Sequence, residues 1–300
     1  MKNSTKFLIT VLFGLLSCNS AEDPNTPTEP LQPTVVTANR SGNYTLFQDG
    51  VGRPYILHVP NGVNENSSLV FFLHGYQGDA RAYQSFLGLD AVADEHNFIV
   101  CYPQGSNDFQ GTPHWNAGLR ISNVDDVGFL VALANKIVAD NNLDPSRVFT
   151  SGLSNGGFMS YTLMCEAPET FRAMASIIGT MSGDTYNTCP YDRPKPILQL
   201  SGLDDKIVPI DGSMTTSGGW GGAPHMDDII NKWCEVNACN VSFTEEIGLD
   251  TDVIRYSTED GLSNIWYYKI SNFGHEWPTE INSARLNGAE LIWEFFDQYN

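Results

Sequence analysis

Arg147-Val-Phe-Thr-Ser-Gly-Leu-Ser-Asn-Gly-Gly157 is the stretch on which the fold turns. Arg147 to Thr150 has the β-branched and aromatic composition of a short strand. From Asn155 onward the pattern is helical. Between the two stands Gly152-Leu-Ser-Asn-Gly156, a Gly-x-Ser-x-Gly sequence. A pattern this short recurs by chance, so its setting carries the argument. A serine on a sharp strand-to-helix turn is held in strained backbone geometry, which lifts its hydroxyl into the open. Flanking glycines remove side chains that would clash in that turn. The helix start behind it offers N–H groups and positive dipole to a developing oxyanion. Ser154 is therefore the candidate nucleophile.

Outward from this elbow, strands and helices alternate. Ser68 to Leu73 and residues 97–102 are continuous apolar runs, as expected of strands buried on both faces. Residues 175–178, 196–200 and 265–270 read as further strands. Helices are expected over 80–95, 124–140, the segment after Asn155, and 282–298. In the second of these, Val127, Leu130, Val131, Ala134, Ile137 and Val138 share one face, and Asp125 and Asp126 complement the dipole in its first turn. Tyr44 to Phe47 and Tyr55 to Val59 flank Asp49-Gly50-Val51-Gly52 and form an opening hairpin. The fold class is α/β: a mostly parallel central sheet with helices on both faces.

In such sheets sites gather beyond the carboxyl ends of the strands. A serine hydroxyl needs a base. On an elbow of this type the acid and then the histidine follow the serine in sequence. Of the six histidines, only His225 and His275 lie downstream. His275 sits in a turn just past the last expected strand and is the candidate base. His225 lies in a Gly-rich loop and reads as surface. The acid belongs in Ser201-Gly-Leu-Asp-Asp205, where Asp204 and Asp205 both qualify by position. His74-Gly75-Tyr76 closes the 68–73 strand and supplies the second oxyanion donor. The donors are assigned as the backbone N–H groups of Tyr76 and Asn155, with the His74 side chain structural. Trp115 and Trp277 are candidates for substrate binding, with Trp220 and Tyr76 beside them. Each of these rings serves equally well as packing. No Cys/His spacing suits a metal, and the expected chemistry needs no cofactor.

The whole chain has 300 residues, enough for one large α/β domain. Hydrophobic residues are 41% and charged residues 17%, which excludes global disorder. Lys and Arg total 16 against 35 Asp and Glu, a net charge of -19. Such a surface repels phosphate backbones and anionic membranes, so nucleic acid is not an expected partner. Lys2, Lys6 and the apolar stretch Phe7–Leu16 read as a signal peptide over 1–17. Leu15-Leu16-Ser17-Cys18 resembles a bacterial lipobox, making Cys18 the lipidation site. A Pro/Thr-rich linker follows over 18–40, with the body over 41–300. An exported chain, lipid-anchored to the outer membrane or cell surface and otherwise secreted, is the expectation, with the anchor its only membrane contact. Export also permits disulfides. Cys234 and Cys239 are close enough to close a small loop, Cys165 and Cys189 are then free to pair, and Cys101 reads as a buried thiol. Connectivity does not follow from sequence alone, nor does oligomeric state.

Several stretches together resemble a family, the secreted esterases that include polyhydroxybutyrate-depolymerase-like proteins, feruloyl esterases and acetylxylan esterases (carbohydrate esterase family 1). The marks are His74-Gly75, Tyr102-Pro-Gln-Gly105, Trp115-Asn116, Val124-Asp-Asp-Val127, Asp144-Pro-Ser-Arg-Val148, Gly152 to Gly157, Gly202-Leu-Asp-Asp205 through Pro209, and Gly274-His-Glu-Trp-Pro278. The resemblance spans roughly 50–280. It implies the α/β-hydrolase fold, a three-layer sandwich. It also implies a serine carboxylic-ester hydrolase. Within its Gly-x-x-Asp pattern Asp205, rather than Asp204, is the acid, and its Gly-His-x-Trp-Pro pattern supports His275. It further implies a Cys165–Cys189 disulfide. The expected substrate carries feruloyl or acetyl esters on a plant polysaccharide, with polyhydroxybutyrate or another polyester as the rival. Two other classes remain open: a non-catalytic binding lipoprotein and a peptidase on this fold. Ser201, where many members carry His, departs from the pattern, as does Tyr76-Gln77, where relatives often carry small residues.

Overall fold

Side chains alternate across a strand, so a fully apolar run must be covered on both faces. In the computed structural model, which describes residues 37–48, 50–259 and 263–300, this alternation builds two cores on opposite sides of one sheet. The strands are β1 (Gly42–Gln48), β2 (Val51–His58), β3 (Leu69–Leu73), β4 (Ile99–Pro103), β5 (Val148–Leu153), β6 (Ala173–Ile177), β7 (Ile197–Gly202), β8 (Val241–Ile247), β9 (Thr251–Ser257) and β10 (Ser263–Ile270). The helices are α1 (Ala80–Leu87), α2 (Leu89–His96), α3 (Asp126–Asn141), α4 (Asn155–Glu166), α5 (Gly183–Thr188), α6 (Met226–Val236) and α7 (Gly288–Asp297). Leu69, Phe71 and Leu73 of β3 join the core shared with α3, α4 and α6. Val70 and Phe72 join the core shared with α1, α2 and α7. The result is a three-layer α/β-hydrolase sandwich.

The strand order is β1-β2-β4-β3-β5-β6-β7-β10-β9-β8. The six strands from β4 to β10 run parallel and the pairs at both margins are antiparallel, so the sheet is mixed around a parallel centre. The opening hairpin and the central strands match the sequence reading. The β8–β9 hairpin is absent from that reading. β8 is exposed along nearly its whole length and carries Glu245 and Glu246, so it lacks the apolar run that marks the central strands.

Two helix boundaries also differ. The 80–95 segment is two helices, because Gly88 takes φ 78 and ends α1 in a left-handed cap. The final helix starts at Gly288 rather than 282. Asn287 caps it by accepting from Ala289 N and Glu290 N, after turns closed by the Asn282 side chain. In α3, Asp125 does cap, accepting from Gly128 N at 2.7 Å. Asp126 does not face solvent. It is buried in an ion pair with Arg53 at 2.6 Å.

The expected signal segment over 1–17, the expected lipidation site Cys18 and nearly all of the expected linker lie outside the described residues. The linker's last few residues belong to the body: Ala38 is buried, donates to Asp140 Oδ2 at 2.7 Å and accepts from Asn141 Nδ2 at 2.8 Å. Cys165 and Cys189 are bonded, fastening the end of α4 to the segment after α5. Cys234 and Cys239 are free thiols in contact rather than a disulfide. Cys101 is a buried thiol.

Candidate active site

β5 delivers its last residue to the carboxyl edge of the sheet and the chain turns at once into α4. Ser154 occupies that turn with φ 54 and ψ -119, a region L-residues avoid. The turn is kept by Ser154 N donating to Ile177 O at 2.9 Å and by close packing of α4 on β3. A Cβ on Gly156 would run into the Leu73 carbonyl oxygen. Glycine at 156 is therefore a packing requirement.

His275 stands in the turn after β10. Its Nε2 lies 2.8 Å from Ser154 Oγ and its Nδ1 lies 2.7 Å from Asp205 Oδ2. Because Asp205 is acceptor-only when ionised, Nδ1 carries the proton and Nε2 accepts from the serine. The other carboxylate oxygen of Asp205 accepts from Ile207 N at 2.8 Å and Val208 N at 2.9 Å. Burial pushes the Asp205 carboxyl up, but the His275 ring and these two N–H groups outweigh it and hold the carboxyl below its ordinary range. Asp204 lies in the adjoining turn, where its N–H donates to Phe273 O at 3.1 Å. The His275 turn is braced from behind, with Asn282 Nδ2 donating to Trp277 O at 2.8 Å.

The 74–78 loop closes over the elbow from the β3 side. His74 is buried, and burial lowers its pKa to about 4, so its ring is neutral at pH 7. Its Nε2 accepts from Gly105 N at 2.9 Å, which leaves Nδ1–H to donate to Gly75 O at 2.7 Å. Gly75 N donates to Tyr83 Oη at 3.0 Å and Gln77 N donates to Pro113 O at 2.9 Å. Between these pinned neighbours, the Tyr76 N–H has no acceptor among the described residues, and the same holds for Asn155 N–H at the start of α4. His225 caps α6, accepting from Asp227 N at 3.1 Å, and takes no part in the site.

One aromatic expectation changes. Trp115 is wholly buried, its Nε1 donating to His74 O at 2.9 Å, so it packs beneath the loop and presents nothing to a substrate. Trp277 is half-buried with its ring edge-on to Phe72 at 5.6 Å, packed on the core. Tyr76 and Trp220 form a half-buried edge-to-face pair at 5.0 Å. Beside Asp205 the 203–215 segment encloses a cavity of about 340 Å³ with the exposed Leu203 and Ile207 at its rim.

Some supporting groups escaped the sequence reading. The Asn155 side chain accepts from Trp115 N at 2.7 Å and donates to Trp115 O at 3.0 Å. Asp126 accepts from Asn116 N at 2.7 Å while paired to Arg53. The adjacency of Trp115-Asn116 and Val124 to Val127 among the family marks was the available signal. Among the described residues no group of His, Cys, Asp and Glu is arranged to hold a metal ion.

The comparisons agree with this architecture. The family described as Esterase PHB depolymerase matches residues 53–192. A probable feruloyl esterase C of Aspergillus flavus is 25% identical over 298 residues, 96% of this chain and 97% of its own. The chain is similar to the esterase family of polyhydroxybutyrate-depolymerase-like proteins and feruloyl esterases. It is a carboxylic ester hydrolase. This esterase is also 27% identical, over 161 residues, to the bifunctional acetylxylan esterase/xylanase XynS20E of Neocallimastix patriciarum, covering 54% of this chain and 22% of that one. An acetyl xylan esterase from Aspergillus awamori has the same fold as the esterase, with TM-score 0.61 at 16% identity over 86% of this chain and 99% of its own.

Proposed function

We propose that the esterase hydrolyses feruloyl or acetyl esters of plant polysaccharides by two-step acyl transfer, with Ser154 as nucleophile, His275 as base and Asp205 as acid. One observation carries the catalytic part: the unbroken hydrogen-bonded line from Ser154 Oγ through His275 to Asp205 at the start of α4. As Ser154 Oγ attacks the ester carbonyl, its proton passes to His275 Nε2. Asp205 holds the ring in the required tautomer and stabilises the imidazolium. The oxyanion is received by Tyr76 N–H and Asn155 N–H, each worth a few kcal/mol in the transition state. The imidazolium protonates the departing alcohol, and water, activated by the same ring, releases the acid from the acyl-enzyme.

The names of the relatives support a carbohydrate-linked ester. The description of the matching family favours a second reading, a polyester such as polyhydroxybutyrate. We further read the chain as exported and lipid-anchored through Cys18, which suits a polymeric substrate met outside the cell. Methyl ferulate, acetylated xylan and a polyhydroxybutyrate suspension separate the substrate readings by relative kcat/KM. Ser154→Ala tests the triad on a short-chain nitrophenyl ester. A loss of more than about 10³-fold is expected. Equal rates in both proteins would leave the triad without support and favour a binding protein on this fold, and turnover of peptides alone would favour a peptidase.

A further inference from the structure

Tyr76 stands where a small side chain would suffice to present a backbone N–H. Its phenol reaches across to a second loop, donating to Asp108 Oδ2 at 2.8 Å. Asp108 is buried within the 106–113 turn. Its other oxygen accepts from Gln110 N at 2.8 Å and Thr112 N at 2.9 Å. The turn is closed by Asp108 N donating to Thr112 O at 2.8 Å and His114 N to Ser106 O at 2.9 Å. It is tied below by His114, whose ring nitrogens lie 2.8 Å from Ser106 O and 2.6 Å from Ser122 Oγ. The carboxylate thus has a fixed position before the phenol arrives. The N–H of Thr112, and then the phenol and Gln110 N–H, hold the Asp108 carboxyl below its ordinary range, so it is an anionic acceptor at neutral pH. A hydrogen bond onto an ionised acceptor is about twice as strong as a neutral one.

We propose that the Tyr76–Asp108 bond is a positioning latch for the oxyanion donor. Asp108 acts through the Tyr76 side chain to fix the peptide that carries Tyr76 N–H. The inference rests on the reading of Tyr76 N–H as a donor to the oxyanion. Its physical basis is the position of the constraints. Gly75 N is pinned by Tyr83 Oη at 3.0 Å and Gln77 N by Pro113 O at 2.9 Å. Tyr76's own backbone has neither tie, and the phenol supplies the third fixed point. Trp220 packs edge-on against the same ring at 5.0 Å. A donor displaced by a fraction of an ångström meets the ground-state carbonyl much as before but serves the oxyanion poorly, so the latch acts on kcat rather than KM.

The test is a double-mutant cycle on 4-nitrophenyl acetate with Tyr76→Phe, Asp108→Asn and both together, with Ser154→Ala as reference. Asp108→Asn keeps an oxygen for Gln110 N and Thr112 N but replaces the ionised acceptor by an NH2, leaving only a weaker neutral bond donated to the phenol oxygen. Each single variant is expected to lower kcat about 10-fold, less than the 10²–10³ for outright loss of a donor, with KM within about twofold. The double variant is expected to be no slower than Tyr76→Phe, since both changes act through the same bond. Wild-type kcat in Tyr76→Phe, or additive losses in the double variant that follow a falling melting temperature, would overturn the latch and leave Asp108 as a brace of its own turn. Full activity in Ser154→Ala would instead remove the reading on which it rests.

Discussion

The elbow at Ser154 and the loop at 75–78 face one another and are held by opposite means. Each carries a non-glycine residue in the left-handed half of backbone space, Ser154 at φ 54 and Gln77 at φ 64. At the elbow the constraint is main chain on main chain. Ser154 N donates to Ile177 O, Phe158 N to Ser154 O, and Gly156 lies against the Leu73 carbonyl. The loop is held largely by side chains that arrive from distant sequence. The His74 ring takes Gly105 N–H, the Tyr83 hydroxyl takes Gly75 N–H, and Gln104 Nε2 donates to Gly78 O at 3.2 Å. A turn held by main chain asks only for glycines where atoms approach closely, whereas one held by side chains depends on the identity of each of them.

The comparison breaks most severely at Gly156. Alanine there forces α4 off β3, so Gly156→Ala is expected to cost about 5 kcal/mol or more and to abolish ester hydrolysis. Urea denaturation and nitrophenyl ester turnover check both. Tolerance of alanine would mean that close packing does not hold the elbow. On the loop side, the deepest support is Arg53–Asp126, which carries Asn116 and, through its neighbour Trp115, the Asn155 side chain. Asp126→Ala leaves a buried guanidinium without its partner and is expected to cost about 3 to 5 kcal/mol. Arg53→Met with Asp126→Leu should recover much of that, since an apolar pair avoids the desolvation penalty. Equal loss in both variants would show that the Asn116 N–H bond matters more than the charge pair.

His74 gives the loop a pH signature that the elbow lacks. Its folded pKa is about 4 because burial disfavours the charged ring, while the unfolded chain titrates near 6.5. Between those values the unfolded state binds more protons, so stability falls as pH drops from about 6.5 to about 4 and levels off below. The full swing is roughly 3 kcal/mol. His74→Gln should flatten this part of the stability–pH curve measured by urea midpoints. An unchanged slope would assign it to other groups.

How much could be read beforehand follows the same division. Ser154 was legible because strand, glycines and helix start are contiguous. His275 was legible because chain order left one candidate at a strand end. The central strands announced themselves as apolar runs. The β8–β9 hairpin did not, since an edge pair with solvent on one face needs no such run. The break at Gly88 was hidden because both helices keep apolar faces across it. Trp115 was misread as cleft-lining because a large aromatic looks the same in sequence whether it meets substrate or a carbonyl beneath the loop. Asp126 was placed correctly in the first turn of α3, but its pairing with Arg53 was not legible because that partner lies 73 residues upstream. Tyr76 was placed correctly in the loop, but nothing in the local sequence joins it to Asp108.

The smallest predicted effect compares the two strained residues directly. Glycine relieves a positive φ at a cost of unfolded-chain entropy, so the net gain is modest. Ser154→Gly is expected to be about 1 kcal/mol more stable than Ser154→Ala, because both lack the hydroxyl and only alanine keeps a Cβ in the strained turn. Gln77→Gly is expected to gain less, roughly 0.5 kcal/mol, because φ 64 lies in a region that L-residues do enter, whereas φ 54 with ψ -119 does not. Its kcat on a nitrophenyl ester is expected to fall a few-fold, as freeing the Gln77 backbone loosens the peptide beside Tyr76 N–H. Such an outcome would mean that the elbow retains strain to aim a side chain and the loop to aim an N–H. A larger stabilisation at 77 than at 154, or an unchanged kcat in Gln77→Gly, would reverse that ordering and make the loop's geometry incidental to the chemistry.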